Sequence, residues 1–177
     1  MSMPESYNYG AYSSGQPAPQ ATEPARPAAV ERGFWLLIAS AVVSVIGAIL
    51  SVIYLGSDES RSELAQTSGL TSADVDMAIS VGITVALIVG VISVAVSVLF
   101  AFFARKGHNW ARIVITVFAA LSLFGLIGID GSAAGIVTLL SIILPIIAVV
   151  LFFTAPASAY FNQMKQFRQS RKMGYAG

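Results

Sequence analysis

An all-α fold, an integral membrane four-helix bundle, is predicted by three observations. Four apolar blocks, Phe34 to Leu55, Met77 to Phe103, Trp110 to Ile129 and Ser132 to Phe153, account for most of the 177 residues. Each is about 20 residues or longer, and at roughly 1.5 Å per helical residue that spans a hydrocarbon core of roughly 30 Å. Hydrophobic residues make up 56% of the chain and charged residues 11%, whereas a soluble domain has about 25% charged. The blocks are also bare of charge: Arg112, in the opening turn of the third, is their only Lys, Arg, His, Asp or Glu.

Three domains follow. Residues 1–32 hold Pro4, Pro17, Pro19, Pro24 and Pro27 among Gly, Ser, Gln and Ala, too little apolar area to offset backbone ordering, which predicts a disordered tail. Tyr7, Tyr9 and Tyr12 and the Pro24 to Pro27 spacing are recruitment features in an otherwise solvated leader. Residues 33–154 form the four-helix domain, and 155–177 a basic amphipathic tail.

The first span opens with Phe34 and Trp35, rings suited to the headgroup boundary. Ser40, Ser44, Ala48 and Ser51 recur at helical steps and predict a packing stripe, since small side chains let helix backbones approach closely in lipid. The loop from Gly56 to Asp76 carries five acids against Arg61 and has room for a short helix over 59–66, ended by Gly69. Thr71 and Asp74 have capping-box spacing, so the acids there are read as the start of the second span and not as a cation site.

The second span carries Gly82, Ala86 and Gly90 at strict four-residue steps, continued by Ser93 and Ser97, the clearest helix-packing pattern in the chain. Packing inside the bundle is the expectation, with an oligomer interface as the alternative. Arg105, Lys106 and Gly107 stop this span, and Asn109 is placed as the cap of the third. Trp110 and Arg112 fall at interface level, where the guanidinium reaches lipid phosphate. The connection Ile129 to Ser132 is short enough to make spans three and four antiparallel neighbours, with Asp130 or Ser132 capping the fourth. Pro145 lacks an amide hydrogen and clashes with the carbonyl four residues back, predicting a kink near Ser141 and a carbonyl that a neighbouring helix must satisfy.

After Ala155, the apolar Tyr160, Phe161, Met164 and Phe167 share a helical face beside Lys165, Arg168, Arg171 and Lys172. The segment reads as an interfacial helix with its aromatics in lipid and its cations on an anionic inner leaflet. Lipid is preferred over nucleic acid as the partner because the charges adjoin a membrane span. Together with Arg105, Lys106 and Arg112, these four cations form the headgroup-contacting set.

Nine of the ten Lys and Arg residues lie before span one, between spans two and three, or after span four; Arg61 is the tenth. The positive-inside rule then places both termini in the cytoplasm of a multi-pass protein. With no cysteine and a single histidine, His108, the chain offers no thiolate, no His pair and no implied cofactor or metal. Its acids are scattered over loop and tail, which argues against an enzyme.

The Tyr, Pro and Gly rich stretch Tyr7 to Gln20, the segment Asn109-Trp110-Ala111-Arg112-Ile113-Val114 and the basic tail after Ala155 together resemble the uncharacterised small four-span membrane proteins common in actinobacteria. That resemblance implies a plasma-membrane protein and supplies no catalytic residues. The function expected is a non-catalytic accessory or scaffold that engages other membrane subunits or a second copy of itself. The alternative is a small transporter or oligomeric pore lined by Thr84, Ser93, Ser97, Thr138 and Ser141.

Overall fold

The computed structural model describes residues 22–127, 129 and 131–174. Expectations for the N-terminal tyrosines and for Asp130 fall outside those residues. Six α-helices follow in order: α1 (Ala28–Leu55), α2 (Asp58–Ser68), α3 (Ser72–Arg105), α4 (Asn109–Ser122), α5 (Ala133–Phe152) and α6 (Ala155–Gly174). No strand occurs among the described residues, and α1, α3, α4 with its extension, and α5 are long and apolar enough to cross a membrane. The fold is an all-α helical bundle that fits a multi-pass membrane protein.

The four long helices form an antiparallel ring in which α1 packs between α5 and α3, and α4 closes the circuit between α3 and α5. Two ends result. One carries the α1 start, the α3–α4 turn, the end of α5 and α6, and most of the basic residues; it is called here the basic end. The other carries α2.

Local signals explain the boundaries. Ser57 accepts from the Ser60 amide at the start of α2, and Gly69 ends that helix with φ +68°, a left-handed conformation that costs glycine nothing. Thr71 accepts from the Asp74 amide and donates to its carboxylate at 2.6 Å, so the capping pair forms as the spacing predicts. Ser132 caps α5 by accepting from the Gly135 amide. At the other end of α3, Gly107 (φ +74°) completes a Schellman motif. Its amide donates to the Ala104 carbonyl and that of His108 to Phe103, whose ring meets the His108 ring at 5.4 Å.

Three boundaries differ from expectation. α1 begins at Ala28, inside the stretch 1–32 expected to be a disordered tail, because Val30 packs fully buried in the core. Asn109 is not a cap; His108 holds that position with no side-chain bond, and Asn109 opens α4 as its first residue. The third span is not one helix to 129: α4 ends at Ser122 and tightens into a 3-10 turn, Leu123–Leu126, where Gly125 interrupts the run of good helix formers.

The core is concentrated at the basic end. Val30, Phe34 and Leu37 of α1, Ala101 and Ala104 of α3, Ala111 and Ile115 of α4, Ala148 and Phe152 of α5, and Ala157, Tyr160, Phe161 and Met164 of α6 form one buried cluster. The helix expected after Ala155 does form, but Tyr160, Phe161 and Met164 lie inside the protein and not in lipid. The reason is geometric: Gly107 has no side chain, and a Cβ there would sit 2.8 Å from Met164 Cγ and 3.1 Å from Tyr160 Cε1. The turn that ends α3 therefore provides the seat on which α6 docks.

Candidate functional site

Three regions hold the residues singled out from the sequence. The first is the α1–α5 seam. Ser40 is 7% exposed and its hydroxyl donates to the Ser141 carbonyl at 3.2 Å. That carbonyl is the one Pro145, within α5, cannot bond, so the neighbour demanded by the proline is Ser40. The predicted stripe is otherwise misaligned, with Ser44 exposed and Ala48 half-buried. The seam instead follows Gly33, Ser40 and Gly47, where a Cβ added at Gly33 would lie 2.6 Å from Phe152 Cε1 and one at Gly47 3.2 Å from Val137 Cγ1. Their spacing of seven is the period of a left-handed helix pair, and that period was the signal to follow in the sequence.

The second region is α3. Gly82 and Ala86 are exposed and Gly90 is half-buried, while a Cβ added at Gly82 or Gly90 would meet no atom within 4 Å. The expectation that this stripe packs within the bundle is thus corrected. Met77, Val81, Gly82, Val85, Ala86 and Val89 line an open apolar groove on the surface of α3. Only 6% of the most apolar stretch of α3 is buried, against 17% in α1 and 22% in α5. The physical reason is that α3 is held at its two ends, by Ala101 and Ala104 in the core and by Val75, Ile79 and the contacts of α2, with little between.

The third region is the basic end, and here the seven cations separate. Arg105 grips Glu31 of α1 in a fork, Nε to Oε2 at 3.1 Å and Nη2 to Oε1 at 2.7 Å, and stacks 4.5 Å above the Phe34 ring. Arg26 joins the same carboxylate at 3.3 Å. Arg168 donates to the carbonyls of Lys106 and Gly107 at 3.2 and 2.8 Å, satisfying the end of α3, and the Tyr160 hydroxyl donates to the Arg105 carbonyl. For Arg105 and Arg168 the headgroup role is therefore replaced by protein partners, because each finds a carboxylate or helix-end carbonyl within reach. Lys106, Lys165, Arg171 and Lys172 are exposed.

Arg112 differs from both groups. Its Nη1 donates to the Phe152 carbonyl at 3.5 Å and to Ser158 Oγ at 3.3 Å, and its guanidinium lies 4.6 Å from the centre of the Phe153 ring and 5.2 Å from that of Phe161. Its Nε is buried with no acceptor, and the Asn109 Oδ1 one turn earlier is buried with no donor. No carboxylate pairs with it among the described residues.

His108, between Lys106 and α4, is held below the ordinary imidazole range by burial, with the Arg168 and Lys106 cations adding to the effect. The hydroxyls considered as pore lining do not converge. Thr84 and Thr138 each donate to the carbonyl four residues back in their own helix, Ser141 to that of Thr138, and Ser93 and Ser97 are exposed on α3.

Fold and surface together define the class: a helical bundle with four helices able to cross a membrane, tightly packed at one end and open along one helix. No protein family, curated protein or solved structure matches the chain in comparison.

Proposed function

We propose that this chain is a non-catalytic accessory or scaffold protein of the plasma membrane, with its basic end in the cytoplasm. It binds other membrane helices, of a partner subunit or a second copy, through the outward face of α3. The observation that carries the reading is the open Gly82, Ala86 and Gly90 face: in lipid, close backbone approach is the main source of helix association, and here the bundle does not use it. The basic asymmetry of the sequence supports the orientation, and the resemblance to small four-span actinobacterial proteins supports the membrane.

The test is co-purification of the full chain in mild detergent. Gly82→Leu and Ala86→Leu should strip the associated species without lowering the thermal stability of the chain, because both positions are exposed. Val91→Phe, on an exposed position outside the groove, should retain them. Retention of the same species by all three variants would refute the reading. A saturable leak of protons or sodium from liposomes holding the purified chain would favour the pore instead.

A further inference from the structure

At the basic end an apolar groove runs between α4 and α5, lined by Thr116, Val149, Val150, Phe153 and Thr154. It opens on a surface that is apolar and exposed: Val150 is 62% and Phe153 50% exposed. At the mouth of this groove sits Arg112, one helical turn before Thr116 and stacked on the Phe153 ring that forms part of the wall. We infer that this groove and Arg112 form a binding site for one anionic phospholipid, with an acyl chain along Val149 and Val150 and the phosphate on the guanidinium.

Four features converge on a phosphate with a hydrocarbon chain attached. The charge is uncompensated: Arg112 has a carbonyl, a hydroxyl and two aromatic faces for partners, and no carboxylate among the described residues. Its hydrogen-bonding capacity is unspent, since Nη1 alone donates and Nη2, which is not among the buried atoms, has no acceptor. Guanidinium forks match phosphate oxygens, and the stacked, weakly hydrated group loses little on leaving water. The neighbouring groups have the right sign. Ser158 Oγ accepts from Arg112 and keeps its own hydrogen to donate, and the N-terminal end of α6, where the helix dipole is positive, begins at Ala155 directly after the groove residue Thr154.

Lys165, Arg171 and Lys172 lie on exposed positions of α6, where they attract a charged leaflet without selecting a molecule. Arg112 pairs a cation with an open apolar groove. The inference concerns lipid and stands independently of any protein partner on α3.

The full chain, purified in mild detergent and stripped of lipid by detergent exchange, is titrated with phosphatidylglycerol, phosphatidylcholine or glycerol phosphate. Bound lipid is counted by native mass spectrometry, and protection is read from thermal unfolding. Phosphatidylglycerol should bind at one per chain and raise the unfolding temperature, and phosphatidylcholine should do so far more weakly. Arg112→Gln should lower the affinity for phosphatidylglycerol about tenfold or more, the loss expected for a charge-assisted hydrogen bond. Val150→Trp, an exposed position that tolerates bulk, should fill the groove and lower occupancy with Arg112 intact. Neutralising Lys165, Arg171 and Lys172 together should leave occupancy within about twofold, since those side chains lie off the site.

Equal binding of both lipids, or full occupancy in Val150→Trp, would overturn the assignment. So would loss of the lipid only when the α6 cations are neutralised. Protection by glycerol phosphate equal to that by phosphatidylglycerol would make the ligand a soluble phosphate and overturn the lipid half.

Discussion

Replacing Ser40 by Ala removes the hydroxyl that serves the Ser141 carbonyl across the α1–α5 seam. Pro145 has no amide hydrogen to return to that carbonyl, and Ser40 is too deeply buried for water to take its place. At 3.2 Å the bond is longer than the usual O–H···O distance of about 2.7 to 2.8 Å. Hydrogen bonds between membrane helices average about 0.6 kcal/mol and reach about 1.7. Ser40→Ala is therefore expected to cost about 0.5 to 1.5 kcal/mol.

The cause is tested by a cycle with Pro145→Ala. An amide at 145 donates to the Ser141 carbonyl within α5, so in that background the Ser40 hydroxyl is redundant and its loss should cost less than about 0.3 kcal/mol. The four proteins are compared by reversible unfolding in mixed micelles of mild detergent and dodecyl sulfate. An equal cost of Ser40→Ala in both backgrounds would show that the hydroxyl matters through packing alone and refute the assignment of the carbonyl.

Gly107→Ala should loosen α6, because the new Cβ meets Met164 and the backbone there has φ +74°; a cost of about 1 to 3 kcal/mol and faster proteolysis within α6 are expected. Stability should also fall in acid through His108. Its folded-state pKa is depressed, so the unfolded chain takes up the proton first; the contribution is complete above the unfolded value of about 6.5 and is lost as pH falls through the folded value. His108→Gln should flatten unfolding temperature against pH in that window, and an unchanged profile would remove His108 as the cause. Cysteine labelling with an impermeant reagent in intact cells should reach residue 62 and not residue 177; labelling at 177 would reverse the proposed orientation.

The helices were legible because their signals are local. Apolar length set the four long segments, Thr71 and Ser132 marked helix starts, and the fate of the Ser141 carbonyl followed from the chemistry of Pro145 alone. Which face of a helix turns inward was not legible where two faces looked alike. On α3, Gly82 and Ala86 satisfy a packing pattern as well as Ala101 and Ala104 do, and only the tertiary arrangement separates exposed from buried. On α1, four-residue steps drew attention to Ser44 while the true seam kept a seven-residue period through Gly33 and Gly47. The cations were misjudged for the same reason. Arg105 and Glu31 lie 74 residues apart, and Arg168 and Gly107 are 61 apart, so no sequence window contains both members of either pair.

The docking of α6 bears on how the chain matures. Residues Tyr160, Phe161 and Met164 leave the ribosome after all four long helices, yet they share one buried cluster with Val30 from the start of α1. Until they arrive, the basic end of the nascent bundle exposes Phe152 and the Gly107 turn, and Arg168 has not yet covered the last carbonyls of α3. The core at the basic end therefore closes only once α6 has been made, after the four long helices that it joins.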